Sequence, residues 1–167
     1  MTVRIGEVKA QLQAACDNEL PAFITQYEGD ERAGVRKCVE AARKRMESLE
    51  REKLRTEKLW EYERGYSGYS HICGIDEAGR GPLAGPVVAG AVILPKDCDL
   101  LYINDSKQLS EKKREELYRA ILEKALCWGV GYASPQRIDE INILQATYEA
   151  MREAISKLHP QPDLLLN

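Results

Sequence analysis

The first part of the chain places apolar residues at helical spacing. Ile5, Val8, Leu12 and Ala15 recur every three or four positions. A longer segment repeats a 4-3-4-3 spacing, and its members are Val35, Val39, Ala42, Met46 and Leu49. Positions three and four apart lie on one face of a helix. The pattern predicts a helical region over residues 1–66 that ends in a long helix and is interrupted at Pro21 and at Gly29-Asp30.

From His71 onward the pattern changes to short apolar runs typical of strands. The predicted strands are His71–Asp76, Val87–Leu94, Cys127–Ala133 and one that begins at Asp163. The β-branched residues of the second run favour a strand, and the small residues between them would let helices pack closely.

Two helices are predicted between these strands. Ser110 is placed to cap the first, which runs to about Leu126. Ser134 followed by Pro135 is typical of a helix start, and the pattern predicts one helix from there through Lys157, before the prolines at 160 and 162.

A glycine- and serine-rich stretch separates the helical region from the strands. It reads E-R-G-Y-S-G-Y-S over residues 63–70. Such composition after a helix is typical of a linker. We therefore expect two domains, a helical N-terminal extension over 1–66 and a strand-containing domain over 71–167.

Composition limits the possible classes of protein. The chain is 44% apolar, which suffices for a core, and no run approaches the roughly 20 apolar residues of a membrane span. The N-terminus has no secretory signal pattern, so we expect a cytoplasmic protein with no membrane partner. The five cysteines are odd in number and form no C-x-x-C pair, which argues against a disulfide framework or a zinc site.

Charge leaves two interpretations of the long helix open. The net charge of −3 argues against a protein that holds nucleic acid by charge alone. Between residues 32 and 64, however, there are eleven Lys and Arg residues and only seven Glu residues. The helix either contacts a nucleic-acid backbone or is a solvated helix with i,i+4 pairs such as Glu47–Arg51, and the sequence favours the second.

One segment carries candidate chemistry, and it reads C-G-I-D-E-A-G-R-G-P-L-A-G-P-V-V-A-G-A-V-I-L-P from Cys73 to Pro95. Asp76 and Glu77 are adjacent carboxylates at the end of an apolar run. Neighbouring strand residues point to opposite faces, but both carboxylates can turn toward one point if the strand ends or bends at Asp76. Carboxylate oxygens suit Mg²⁺ or Mn²⁺. The alternatives are a solvated turn and an ordinary hairpin.

This ordered run closely resembles the signature of the ribonuclease HII family, also called type 2 ribonuclease H. Two further segments resemble the family pattern, D-S-K-Q-L-S at 105–110 and I-D-E-I-N-I at 138–143. The resemblance covers about 72–167. It implies an α/β fold of the ribonuclease H type, with a mixed sheet flanked by helices after a helical N-terminal region, as in longer bacterial forms.

The resemblance also implies an activity. A member of this family is expected to hydrolyse the RNA strand of RNA-DNA hybrids and to cut duplex DNA at single ribonucleotides. The expected chemistry is two-metal-ion catalysis that leaves a 3′-hydroxyl and a 5′-phosphate. Asp76 and Glu77 are the implied catalytic residues and ligands of Mn²⁺ or Mg²⁺, in a monomeric protein.

Six further residues are implied in substrate binding. They are Gly79, Arg80, Gly81, Ser106, Lys107 and Asn142. The Gly79-Arg80-Gly81 backbone is expected to approach the 2′-hydroxyl, the group that distinguishes ribose from deoxyribose. Each side chain has a structural alternative: an ion pair for Arg80, an ordinary loop lysine for Lys107 and a helix cap for Asn142.

The family pattern extends beyond the last residue of this sequence. Its third metal-binding aspartate is expected just past Asn167, followed by a fourth acid and a substrate-reading tyrosine, so we expect a truncated form. A second hypothesis is therefore a nucleic-acid-binding fragment without catalysis. A small-molecule nucleotide-binding module is disfavoured because neither G-x-G-x-x-G nor G-x-x-x-x-G-K-[ST] occurs.

Overall fold

The computed structural model describes residues 3–82, 84–96 and 98–167, so the predictions for Met1, Thr2 and Leu83 lie outside it. The chain forms two compact units, one ending at Leu59 and the other beginning at Trp60. This division lies upstream of the expected linker. A short helix, α4 (Glu61–Gly65), lies at the start of the second unit and includes the first residues of that linker.

The first unit is helical. It contains α1 (Ile5–Ala14), α2 (Leu20–Tyr27) and α3 (Ala33–Leu59), with a 3₁₀ turn at Asp17–Glu19. Its core consists of Val8, Leu20, Phe23, Tyr27, Val35, Cys38, Val39 and Ala42. The helical region is interrupted between Ala14 and Leu20, just before Pro21, which lies in the first turn of α2.

The second unit contains a four-stranded mixed sheet. Its strands are β1 (Ile72–Ala78), β2 (Val87–Ile93), β3 (Cys127–Ala133) and β4 (Leu164–Leu166). The strand order is β3-β2-β1-β4. β2 pairs antiparallel with both β1 and β3, and β4 pairs parallel with β1. The predicted mixed α/β fold is confirmed.

Besides α4, the described residues of the second unit form three further helices, and one prediction about them is wrong. α5 spans Glu111–Lys124, and the Ser110 side chain caps it by accepting from the N–H of Lys113. The predicted continuous helix after Ser134 is broken at Asn142 into α6 (Pro135–Ile141) and α7 (Ile143–Ser156). Asn142 has φ 70° and ψ 161°, which is incompatible with a continuing helix.

Helix α7 packs directly on β3. Gly129 and Gly131 lie against the α7 backbone, and a Cβ on either glycine would overlap the carbonyl oxygen of Ala154 or Ala150. Such close approach requires residues without side chains. One face of the sheet is buried in this way. The other face of β3 exposes Trp128, Val130 and Tyr132.

None of the helices in the described ranges combines the length and apolar composition that a membrane-crossing segment requires.

Candidate active site

The strand that carries the two adjacent acids does not end at the first of them. β1 continues to Ala78, and its register with β2 pairs Asp76 with Gly90 and Glu77 with Ala89. The predicted strand end at Asp76 is therefore wrong, because β2 continues the ladder past it. Successive strand residues point to opposite faces. Asp76 is exposed, whereas the Glu77 side chain is only 15% exposed.

Asp76 opens onto a cleft of about 530 Å³ in the second unit. The cleft is lined by Tyr62, Glu63, Gly74, Ile75, Asp76, Gly90, Val92, Leu166 and Asn167. Gly74 and Gly90 contribute no side chains, and a Cβ on either would meet no other atom within 4 Å. The cross-strand neighbour of Asp76 therefore leaves space beside its carboxylate.

Glu63 is a cleft residue that the sequence pattern did not reveal. It lies on α4 and shares the cleft with Asp76. Its Oε2 is buried and has no hydrogen-bond partner within the described part of the chain. An unsatisfied buried carboxylate oxygen is costly and unusual in a native fold. No motif marks Glu63, because its place depends on α4 lying beside the sheet.

Glu77 is held by its neighbours in the loop. Arg80 Nη1 donates to Glu77 Oε1 at 3.1 Å, and the Glu77 N–H donates to Asp76 Oδ1 at 2.8 Å. The positive charge of Arg80 thus already balances the Glu77 carboxylate. The ion pair expected as the structural alternative for Arg80 is present.

The two glycines beside Arg80 have different structural requirements. Gly79 has φ +90°, and a Cβ there would overlap the carbonyl oxygen of Pro86. Only glycine adopts this geometry without strain. A Cβ added to Gly81 would meet no other atom within 4 Å, and this residue lies in an exposed part of the loop. The fold requires glycine at 79, while Gly81 leaves its backbone open to an approaching ligand.

The donor atoms of Asp76 and Glu77 are of the type that divalent cations prefer. Two carboxylates would provide part of an oxygen ligand set. Across residues 3–82, 84–96 and 98–167, no three His, Cys, Asp or Glu side chains are grouped so that they could hold a metal ion. The donor atoms of the pair therefore suit Mn²⁺ or Mg²⁺, while the unbroken strand directs the two carboxylates toward opposite faces.

Asp163 fixes the strand that forms one wall of the cleft. Its carboxylate accepts from the N–H groups of Ser70 and His71, each at 2.8 Å. The Ser70 hydrogen bond is the largest cause that lowers the pKa of Asp163 below its ordinary value. These bonds join the start of β4 to the start of β1. From this anchored start β4 runs toward the cleft, which Leu166 and Asn167 line.

Ser106 and Lys107 lie in an exposed 3₁₀ turn, Ser106–Gln108. The Asp105 carboxylate accepts from the Lys107 N–H at 2.9 Å, and Arg114 Nη1 donates to the carbonyl oxygens of Ser106 and Leu109. These hydrogen bonds all stay within the turn and the start of α5. The structure thus holds the backbone of this segment and leaves the Lys107 side chain exposed.

Asn142 acts as a helix cap. Its side-chain oxygen accepts from the N–H of Gln145 at 3.1 Å at the start of α7. The expected structural alternative for this residue is therefore present. The structure brings Asp76, Glu77, Gly79, Arg80 and Gly81 together, whereas the hydrogen bonds of Ser106, Lys107 and Asn142 remain within their own segments.

Comparison with known proteins identifies relatives of both units. Residues 73–166 match the family model described as Ribonuclease HII, and residues 4–67 match that of the Ribonuclease HII N-terminal domain. A protein named Ribonuclease HII from Lachnoclostridium phytofermentans is 57% identical over 167 residues, covering 100% of this chain and 66% of the relative. A Bacillus licheniformis protein of the same name is 46% identical, covering 99% and 65%. The chain thus spans just under two thirds of these relatives' length.

Two solved structures resemble part of the chain. One is the crystal structure of the ribonuclease H2 from Pyrococcus horikoshii OT3, with 30% identity and a TM-score of 0.49 over 57% of this chain and 48% of that one. The other is the structure of the PCNA:RNase HII complex from Archaeoglobus fulgidus, with 32% identity and a TM-score of 0.34 over 42% and 36%.

Proposed function

The chain belongs to the ribonuclease HII family, and we propose that the protein is a metal-dependent endonuclease acting on RNA within nucleic-acid duplexes. Its substrates are RNA-DNA hybrids, whose RNA strand it hydrolyses, and duplex DNA that contains single ribonucleotides. The observation that carries the proposal is the family match over residues 73–166, which contains Asp76, Glu77 and the Gly79-Arg80-Gly81 loop on one strand and turn.

Asp76 and Glu77 are the proposed catalytic residues and metal ligands. Asp76 is exposed toward the cleft, whereas Arg80 holds the Glu77 carboxylate at the next strand position. Binding of one cation by both would require the Glu77 side chain to leave Arg80 and turn toward Asp76. Bound Mn²⁺ or Mg²⁺ would supply charge neutralisation at the scissile phosphate and an activated water. In the proposed two-metal reaction, the products carry a 3′-hydroxyl and a 5′-phosphate.

The proposed selectivity for ribose is assigned to the loop backbone. Gly81 is open to solvent, and Gly79 is fixed in a conformation that only glycine adopts readily. Backbone amides and carbonyls in such a loop can hydrogen-bond a 2′-hydroxyl, which is both donor and acceptor. Arg80 would exchange its contact with Glu77 for a phosphate. Ser106, Lys107 and Asn142 are proposed as further contacts along the substrate backbone.

A second candidate function is nucleic-acid binding without catalysis by this chain alone. It is favoured by the absence, across the described ranges, of a third side chain that joins Asp76 and Glu77 in a metal-binding group. Two carboxylates bind a divalent cation more weakly than a complete oxygen set. The two hypotheses differ in whether cleavage accompanies binding.

One cleavage assay tests the proposal. The protein is incubated with Mn²⁺ or Mg²⁺ and a labelled DNA duplex that carries one ribonucleotide, with an all-DNA duplex as the substrate control. Asp76→Asn removes a charged ligand but keeps an oxygen that can accept from the Glu77 N–H. Asp139→Asn is the matched variant, because Asp139 is an exposed acid on α6.

Cleavage at the ribonucleotide that is lost in Asp76→Asn and kept in Asp139→Asn supports the endonuclease. Binding without cleavage supports the second candidate for this chain. If a chain extended past Asn167 also fails to cleave, the proposed activity is wrong. We place such an activity in the cytoplasm, in DNA replication and repair, and assign it to a monomer, which gel filtration would test.

A further inference from the structure

The long helix of the first unit carries a row of cations on the side opposite its core. Lys37, Lys44, Arg51 and Lys58 are seven residues apart along α3, and all four are exposed. Seven residues are nearly two helical turns, so the four side chains leave the helix along one line. We call this set the basic row.

The burial of α3 fixes the direction in which the basic row points. Val35, Ala42 and Thr56 are buried, and they repeat with the same seven-residue period. This inward row thus runs through positions 35, 42, 49 and 56, and each member of the basic row follows one of these positions by two residues. Two residues correspond to a rotation of about 200°. The basic row therefore faces away from the core of its unit.

Ion pairs are distributed unevenly around α3. Its nine Lys and Arg residues outnumber its five Glu residues. Five of the nine cations have ion-pair partners, namely Arg43, Lys44, Arg45, Lys53 and Arg55. The other four form no ion pair with any residue in the described ranges, so the expected Glu47–Arg51 pair is absent there. Three of these four, Lys37, Arg51 and Lys58, belong to the basic row, and Arg36 lies outside it. A helix that was merely solvated would gain from i,i+4 partners at these positions as well.

The charge of the second unit makes this distribution informative. From Trp60 to Asn167 the chain carries 12 Lys and Arg against 16 Asp and Glu, a formal charge of −4. A unit of that sign repels a polyanion over its surface as a whole. Phosphate attraction must then come from local concentrations of positive charge, and α3 provides one.

From these observations we propose that the basic row binds the phosphate backbone of duplex nucleic acid. The row spans 21 residues, roughly 31 Å of helix, which is close to the 34–36 Å of one duplex turn. Contacts of this kind position a protein on a duplex without reading its sequence. Lys44 exchanges an exposed ion pair with Glu40 for a phosphate, and such pairs are weak.

The choice of nucleic acid as the ligand rests on the proposed function, but the binding itself does not require catalysis. The test therefore uses a fluorescent all-DNA duplex of about 20 base pairs with EDTA present, so that no cleavage contributes. Fluorescence anisotropy gives the Kd of the full 167-residue chain from 50 to 200 mM salt. The slope of log K against log salt falls by about 0.9 for each phosphate contact that is lost.

Two triple variants with equal charge change are compared. The row variant is Lys37→Gln, Arg51→Gln and Lys58→Gln. The control is Lys9→Gln, Arg43→Gln and Lys53→Gln, which are exposed residues of the same unit outside the row. Glutamine is a good helix former, so circular dichroism should show unchanged helix content in both.

We expect the row variant to bind at least about tenfold more weakly at 100 mM salt, with the slope reduced by about 2 to 3. The control variant should remain within about threefold of the unchanged chain. A charge-conserving triple variant, Lys37→Arg, Arg51→Lys and Lys58→Arg, should retain binding.

Equal losses in the row and control variants would overturn the proposal, as would a chain with no measurable duplex binding at 50 mM salt. Row-dependent binding by a chain that never cleaves would contradict only the endonuclease. If the unchanged chain cleaves but the row variant binds the duplex as tightly as it does, only the proposed role of α3 is contradicted.

Discussion

Arg80 and Glu77 form an ion pair across the loop after β1, with 3.1 Å between Nη1 and Oε1. The pair occupies a carboxylate that is proposed to bind a cation. Replacing Arg80 by Gln removes both the competing contact and a repulsive charge. Because the Arg80 end of the pair is exposed, the pair is worth about 1 kcal/mol, so we expect Mn²⁺ to bind roughly 2- to 5-fold more tightly in Arg80→Gln.

Titration calorimetry with Mn²⁺ measures this change. Arg119→Gln is the matched control, because it removes an exposed ion pair with Glu115 on α5 and alters net charge equally. If Arg80→Gln binds Mn²⁺ more weakly than Arg119→Gln, Arg80 positions Glu77 and does not compete for it.

The two loop glycines should respond differently to alanine. Gly79→Ala forces a positive φ on a residue with a Cβ and overlaps the carbonyl oxygen of Pro86, so we expect a loss of about 1–3 kcal/mol in the free energy of unfolding. Gly81→Ala has open space and should change that free energy by less than about 0.5 kcal/mol. Urea denaturation measures both.

Gly81→Ala also separates folding from substrate recognition. If the loop backbone contacts the 2′-hydroxyl, this variant should lose ribonucleotide cleavage by tenfold or more while it remains folded. Unchanged cleavage in a folded Gly81→Ala would remove this residue from the proposed site.

Asn142 combines a helix cap with an unusual backbone conformation. Its φ of 70° and ψ of 161° lie in a region populated mainly by glycine. Asn142→Ala loses the cap and keeps the strain, so we expect a loss of about 0.5–2 kcal/mol from the cap. Asn142→Gly also loses the cap but relieves the strain, so it should cost less than Asn142→Ala, as thermal or urea unfolding would show.

A third substitution at this position tests the substrate contact. Asn142→Asp keeps the capping oxygen and should preserve stability at neutral pH. A drop in duplex binding in Asn142→Asp, with the stability unchanged, would support a contact to a phosphate. Equal binding would leave Asn142 with the capping role alone.

The packing of α7 on β3 should be intolerant of a single methyl group. A Cβ on Gly131 overlaps the Ala150 carbonyl oxygen, so Gly131→Ala requires the helix backbone to move. Overpacking of this type costs about 1–3 kcal/mol or more. Gly90→Ala on the neighbouring strand is the matched control, because nothing lies within 4 Å of its Cβ. Similar melting temperatures for both variants would contradict the observed close packing.

The hydrogen bonds that Asp163 accepts should make the stability of the chain depend on pH. Its folded-state pKa lies below the ordinary value of 3.8, chiefly because its carboxylate accepts the Ser70 N–H. The stabilising contribution is therefore fully present above pH 3.8 and is lost as pH falls through the lower folded pKa. The urea midpoint of Asp163→Asn should fall below that of the unchanged chain at pH 6, and the two should converge as the pH falls through the lowered folded-state pKa. A difference between the two midpoints that persists at low pH would show that the substitution does not act through the charge of Asp163.

Local signals in the sequence predicted much of this fold. β3 begins at Cys127 and ends at Ala133 as predicted, because its apolar run is bounded by the capping Ser134. Ser110 likewise marks the start of α5. The adjacent acids and their glycine loop were found from the sequence because the whole segment is continuous along the chain.

Features that depend on a distant partner were not predicted. β1 passes Asp76 because β2 continues to pair with it. At Asn142 the sequence offered a helix cap as an alternative, but it did not indicate the positive φ that breaks the helix there. Glu63 lines the same cleft as Asp76 although 13 positions separate them in the chain.

By itself, the sequence determined the class of fold, the caps of its helices and the segment that carries the candidate chemistry. These properties depend on residues within a few positions of one another. Only the tertiary structure decided that Asp76 and Glu77 leave β1 toward opposite faces, that Glu63 shares the cleft and that the basic row points away from its core. Strand register and helix packing set these directions, and both depend on contacts between residues far apart in the chain.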